Sequence, residues 1–125
     1  MHKIGVVDDD DAVRDSLSLL LRLNGFDVSA FGSGPALLGA ANLDQFCCLV
    51  LDIHMPTMSG IELLELLRRR AVSIPVIMMT GRADPSLVER ACTCGAVSFM
   101  QKPVLEQALV SNIQSALTNG ARCHT

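Results

Sequence analysis

Five short apolar runs, each leading into a segment whose nonpolar residues recur at helical spacing, constrain this chain more than any other feature. The strand-like runs read as Lys3 to Val7, Asp27 to Phe31, Cys47 to Leu51, Pro75 to Met79 and Val97 to Met100. The helical segments read as Ala12 to Asn24, Gly34 to Ala41, Gly60 to Arg70, Pro85 to Cys94 and Leu105 to Thr118. Gly25 and Gly95 stand where helix C-termini favour glycine, Asp84-Pro85 supplies a cap and a first helical residue, and Ser59 can cap the third helix. The third and fourth runs are continuous rather than alternating, which suits parallel strands covered on both faces. Five strand-helix units in 125 residues, half of them apolar, imply one α/β domain. Its expected form is an open, doubly wound parallel sheet with right-handed crossovers that place helices on both faces.

In such sheets ligands bind beyond the carboxyl ends of the strands, so the site can be read from the residues that end each run. Asp8 and Asp9 follow the first, Asp52 the third, Thr80 and Gly81 the fourth, and Gln101, Lys102 and Pro103 the fifth. Asp8 and Asp9 belong to a row of four acids that ends with Asp10 and Asp11, and like charges this close repel. Asp10 or Asp11 can cap the first helix, where acids also suit the positive helix end. The surplus points to a bound cation, because a hard divalent ion such as Mg²⁺ takes carboxylate oxygens as ligands and offsets their repulsion. Lys102 and the Thr80 hydroxyl suit the oxygens of a transferring phosphoryl group. Asp52 is the natural acceptor, since a carboxylate can form an acyl phosphate once metal and lysine neutralise the charge that builds up. With no glycine loop of the Walker or dinucleotide-binding type, the phosphoryl group is expected from a partner or a small phospho-donor.

The net charge of −3 and pI near 5.5 argue against a broad basic face for nucleic acid. Arg68-Arg69-Arg70 reads instead as cations at a negative helix end. No apolar stretch reaches the roughly 20 residues of a membrane span, and Met1-His2-Lys3 leads straight into a strand, so a cytoplasmic protein is expected. Five cysteines without zinc spacing read as reduced thiols, mostly filling the core.

Val7-Asp8-Asp9, Leu51-Asp52-Ile53-His54-Met55-Pro56, Met79-Thr80-Gly81 and Gln101-Lys102-Pro103 resemble, in order and spacing, the signature of two-component receiver domains. The resemblance runs from Lys3 to about Thr118, and the residues around Asp52 and Thr80 are most similar to the FixJ-like branch of transcriptional response regulators. It implies a flavodoxin-like (βα)5 sheet of strand order 2-1-3-4-5, with residues 1–118 as receiver and 119–125 as a C-terminal tail. Asp52 would accept the phosphoryl group from a histidine kinase. Asp9 and Asp52 would ligate Mg²⁺, with Mn²⁺ as a substitute, Asp8 would assist through water, and the His54 backbone carbonyl would complete the protein ligands. Lys102 would pair with the phosphoryl or acceptor oxygens, and Thr80, beside Gly81, would turn its hydroxyl toward the phosphate. Phe99 takes the place of the switch aromatic, and the Lys102–Pro103 bond would be cis. Leu87, Val88 and Ala91 form the expected dimer surface, unless they simply cover the sheet.

So read, the chain is a phospho-acceptor that promotes its own phosphorylation and dephosphorylation, not an enzyme that turns over a substrate. It would reach DNA only through an output domain absent from this chain. His54 stands where the family often has Asn, Arg or a carboxylate; its ring would face solvent or, less in keeping, ligate a softer metal. Nothing after Thr118 resembles an output domain, so the chain is either a stand-alone receiver or phosphorelay module, or the regulatory piece of a longer DNA-binding regulator. A rival class is an aspartyl-phosphate phosphatase or phosphotransferase on similar topology, against which stands the missing second acid at position 54. A flavin or nucleotide binder lacks both a phosphate cradle and aromatic residues to flank a flavin.

Overall fold

Strands β1 (Lys3–Val7), β2 (Asp27–Phe31), β3 (Cys48–Asp52), β4 (Val76–Thr80) and β5 (Ser98–Gln101) form one parallel sheet in the order β2-β1-β3-β4-β5. The computed structural model describes residues 2–40, 42–82 and 84–123, and side chains as far as Thr118. The helices are α1 (Asp11–Leu23), α2 (Gly34–Leu38), α3 (Gly60–Arg69), α4 (Pro85–Thr93) and α5 (Glu106–Cys123).

The continuous runs lie where both faces are covered. Every residue of β3 and β4 is buried, whereas the edge strands β2 and β5 keep exposed positions. Alternate side chains then feed two cores. Leu49, Leu51, Val76 and Met78 pack with Leu37 of α2, Leu63, Leu64 and Leu67 of α3 and Ala91 of α4. Cys48, Val50, Ile77 and Met79 pack on the other face with Leu17 and Leu21 of α1 and Leu109 and Ile113 of α5. Two buried layers of this kind, at about 25 cal/mol per Å² of apolar surface removed from water, hold the strand ends in one fixed array.

Several boundaries differ from the sequence reading. β3 and β4 each run one residue further, so Asp52 and Thr80 are the last paired residues of their strands rather than loop residues. α2 stops at Leu38 with Gly39 as its cap, because glycine is a poor helix former; the expected end, Ala41, lies outside the described residues. A 3₁₀ turn at Leu43–Gln45, capped by Asn42, was not foreseen. α5 extends to Cys123 rather than ending at Thr118, so most of the expected tail continues the helical backbone, while residues 124–125 lie outside the described residues. Asn119-Gly120 is a weak helix former, but no proline follows to forbid the next turn.

The punctuation behaves as the chemistry requires. Gly25 and Gly95 take φ of 89° and 100°, and Asp84 caps α4. Arg68 closes the end of α3 by donating to the Val72 and Ile74 carbonyls at 2.8 and 3.1 Å, a structural use of the basic run. Among the described cysteine side chains only Cys48 is fully buried, its thiol pushed up to about 12 by burial, then by Cys47. Cys47 and Cys94 are half-buried, Cys92 is exposed, and the Cys123 side chain lies outside the described residues. Among the described residues no helix is long and apolar enough to cross a membrane.

Candidate functional site

The four consecutive acids divide at the tip of β1. Asp8 is fully buried; its Oδ1 accepts the Asp10 N–H at 2.9 Å and its Oδ2 the Lys102 ammonium at 2.7 Å. Asp10 is the cap of α1, accepting from the N–H groups of Ala12 and Val13. Asp11 sits in the first turn of α1 and pairs with Arg14. Asp9 is exposed, and its carboxylate accepts no hydrogen bond among the described residues.

Asp52 ends the central strand with only 3% of its surface exposed. Its Oδ1 lies 3.4 Å from the Lys102 ammonium and accepts the His54 N–H at 3.4 Å. Burial raises the pKa of its carboxyl above the ordinary range and the Asp8 charge adds to this, with Lys102 opposing both. For Lys102, burial is the largest single influence and pulls its pKa down, but the Asp8 hydrogen bond and the Asp52 and Asp8 charges together outweigh it and raise the pKa.

The turn after Asp52 is locked by a glycine the sequence reading took only as a helix start. A Cβ on Gly60 would lie 2.3 Å from the Asp52 carbonyl oxygen, so only glycine lets α3 begin against the end of β3. The Gly60 N–H donates to the Ile53 carbonyl at 2.9 Å, and Ser59 with Glu62 forms a reciprocal capping box at 3.1 and 2.9 Å.

Thr80 is fully buried, and its hydroxyl is engaged within its own loop: it donates to the Arg82 carbonyl at 2.9 Å and accepts the Arg82 N–H at 3.1 Å. The Thr80 carbonyl in turn accepts the Lys102 N–H at 2.7 Å, tying the ends of β4 and β5 together. Gly81 is exposed with open space beside it. The Lys102–Pro103 bond is cis.

These elements enclose a polar pocket of about 380 Å³ lined by Asp8, Asp9, Asp10, Asp52, His54, Gly81, Arg82 and Lys102. Arg82 was missed by the sequence reading; its only signal was its place just past Thr80, and among the described residues its guanidinium has no carboxylate partner. The His54 ring is exposed.

Carboxylate oxygens of Asp8, Asp9 and Asp52 all lie within 4.8 Å of one another. All-oxygen donors at that spacing fit a hard divalent cation such as Mg²⁺. Lys102 spans both acids, 2.7 Å from Asp8 and 3.4 Å from Asp52. One expectation needs correction. Ala91 is fully buried in the core beneath α4 and leaves the expected dimer surface, where the half-buried Leu87 and Val88 remain. Phe99 is also half-buried, packs on that same core and does not line the pocket.

Comparison with known proteins agrees with this geometry. Residues 4–114 match the family model described as the response regulator receiver domain. The chain is 41% identical over 114 residues to the transcriptional regulatory protein FixJ of Bradyrhizobium diazoefficiens, covering 91% of this chain and 56% of that protein. It is 38% identical to the response regulator protein TodT of Pseudomonas putida, covering 91% of this chain and 50% of that one. The chain thus spans about half the length of these curated relatives. Among solved structures, FixJ-N superposes with a TM-score of 0.86 at 36% identity, covering 94% of both chains. A CheY-like receiver domain from Methanospirillum hungatei gives 0.90 at 29%, covering 98% of both.

Proposed function

The chain belongs to the response regulator receiver domain family, and from that membership we propose that Asp52 accepts a phosphoryl group from a histidine kinase, with Mg²⁺ bound. The observation that carries this reading is the convergence of Asp52, Lys102 and a three-carboxylate cluster in one pocket. Asp9 and Asp52 would hold the cation directly, with Asp8 reaching it through water and the His54 carbonyl completing the set. A bound divalent ion supplies neutralisation of the charge that develops on the transferring group.

The chain's own residues do the rest. Asp52 is held at a strand end, rigid and shielded from bulk water, so its oxygens need no reorganisation before attack. Lys102 already spans Asp8 and Asp52, and a small swing of its ammonium toward the incoming oxygens keeps the buried charge paired. The Thr80 hydroxyl must leave the Arg82 backbone to reach a phosphoryl group, so phosphorylation breaks two hydrogen bonds inside the loop after β4. Space vacated by Thr80 is what Phe99 would turn into, carrying the change to α4.

Output follows from that surface. The whole regulator's role is read as transcriptional control through an output domain outside this chain, in a cytoplasmic protein. The face formed by Leu87 and Val88 with β5 would form a homodimer when Asp52 is phosphorylated, at a coupling of roughly 1–3 kcal/mol. Sedimentation with and without beryllofluoride is expected to show a dimer only with the mimic, and only when Thr80 is present; a dimer unchanged in Thr80→Ala removes the route.

The functional test is incubation with acetyl phosphate and Mg²⁺. One phosphoryl group per chain, with no continued release of product from phosphate esters, is expected; steady turnover of an external ester would favour the phosphotransferase class instead. In the same experiment His54→Ala and His54→Asn should change the decay rate of the acyl phosphate at unaltered Mg²⁺ affinity, because His54 lines the pocket and its exposed side chain would shield or orient the hydrolytic water. Equal decay in all three chains would make the ring a bystander.

A further inference from the structure

Asp9 presents a physical problem: a metal ligand should be aimed, yet its carboxylate is exposed and unheld by any hydrogen bond among the described residues. Its direction is therefore set by its backbone, which means by the peptide planes on either side. The following plane is pinned where the Asp10 N–H donates to Asp8 Oδ1 at 2.9 Å. The preceding plane is pinned by a different residue: Arg14, one turn into α1, donates from Nη1 to the Asp8 carbonyl at 2.6 Å.

We propose that Arg14 is a positioning residue for the cation site, clamping the Asp8 carbonyl so that the Asp8–Asp9 peptide plane, and with it the Asp9 carboxylate, faces Asp8 and Asp52.

Three features of the structure make the clamp specific. The guanidinium uses a second nitrogen on the Asp11 carboxylate, so its fork is held at two points, which a lysine ammonium cannot reproduce in the same geometry. Its side chain is only 20% exposed although Asp11 is 86% exposed, so the buried half of the contact is the one made to the Asp8 carbonyl. The loop after β2 is cut away to admit it: the three atoms nearest to a Cβ on Gly32 would all belong to the Arg14 guanidinium, Nη1 at 3.2 Å, Cζ at 3.6 Å and Nη2 at 3.9 Å. Gly32 needs no glycine backbone angle, so its missing side chain serves space rather than conformation. Asp8 itself is anchored to the end of β2, just before that loop, donating its N–H to the Phe31 carbonyl at 3.1 Å.

Charge and position predict opposite signs. If Arg14 acted only as a nearby cation, removing it would tighten Mg²⁺ binding by lifting a repulsion. Acting as a clamp, its loss weakens binding, by roughly tenfold as for other residues that orient metal ligands. The proposal rests on the metal reading above, so the titration includes Asp9→Ala as its control. Mg²⁺ binding to chelator-stripped chain is measured by calorimetry, with circular dichroism to establish that each variant is folded. Arg14→Lys, which keeps the charge, and Arg14→Met, which removes it, should both bind about tenfold more weakly. Gly32→Ala, which leaves Arg14 in place but presses on its guanidinium, should weaken binding in the same direction. Wild-type affinity in Arg14→Lys and Gly32→Ala, or tighter binding in Arg14→Met, overturns the clamp. Failure of the wild type to bind Mg²⁺, or an Asp9→Ala variant that binds equally well, overturns the metal reading instead. Should Arg14→Met not fold, the other two variants still decide.

Discussion

Asp52→Asn should abolish stoichiometric phosphorylation from acetyl phosphate in the presence of Mg²⁺, and wild type should lose it equally when the metal is chelated. The amide keeps the size of the side chain but has no anionic oxygen to attack phosphorus or to share with a cation. Mass spectrometry of the intact chain reads the outcome directly, and stoichiometric uptake by the variant would mean that the acceptor lies elsewhere. A second consequence separates loss of chemistry from loss of fold. A carboxyl whose pKa is raised on folding holds its proton more tightly in the folded chain, so stability is lost as pH rises past the ordinary carboxylate range. Burial, reinforced by Asp8, places Asp52 in that class. Without metal, Asp52→Asn should therefore be more stable than wild type at pH 7, with the advantage vanishing below about pH 4. Lys102 keeps its 2.7 Å contact with Asp8 in the variant, so no buried cation is stranded. Denaturant melts at the two pH values check the sign.

Asp9→Ala and Asp11→Ala remove the same charge two residues apart and should nonetheless differ by more than tenfold in Mg²⁺ affinity. Asp9 contributes an oxygen to the cluster whose members lie within 4.8 Å of one another, whereas Asp11 points to solvent and to Arg14. Even with the screening typical of a protein surface, unit charges about 4 Å apart attract by about 4 kcal/mol, and each ~1.4 kcal/mol of that lost is tenfold in affinity. An exposed helical ion pair is worth only about 0.3–0.5 kcal/mol. Losing Asp11 leaves Arg14 its bond to the Asp8 carbonyl, so affinity should change less than about twofold. Without metal the Asp9 variant should also melt slightly higher, from relief of repulsion. Equal losses of affinity in the two variants would erase the distinction between site acids and helix acids.

Much of this site was legible because strands end where their apolar pattern ends, and the topology sends every such end to one edge of the sheet. Asp8, Asp9, Asp52, Thr80 and Lys102 needed no structure to be grouped. Burial pattern also ranked the strands: the two runs apolar throughout became β3 and β4, covered on both faces. What the pattern could not do was divide neighbours of like chemistry. Which of four adjacent acids caps, which pairs and which stays unheld depends on where α1 sets off from β1. The apolar residues of α4 were likewise indistinguishable until the helix was laid on the sheet and Ala91 proved to be the one beneath it.

Element order, the parallel sheet and the residues at its carboxyl edge follow from the amino-acid pattern, because hydrophobic periodicity and chain direction are local properties. Tertiary structure alone decided that Asp52 and Thr80 remain within the hydrogen-bonded ladder, that Lys102 rests on Asp8, that Gly60 must be glycine and that Arg14 reaches back to the Asp8 carbonyl. Each of those is a contact between segments separated in the chain or across a turn, and its geometry exists only once the two buried layers have fixed the strand ends relative to one another.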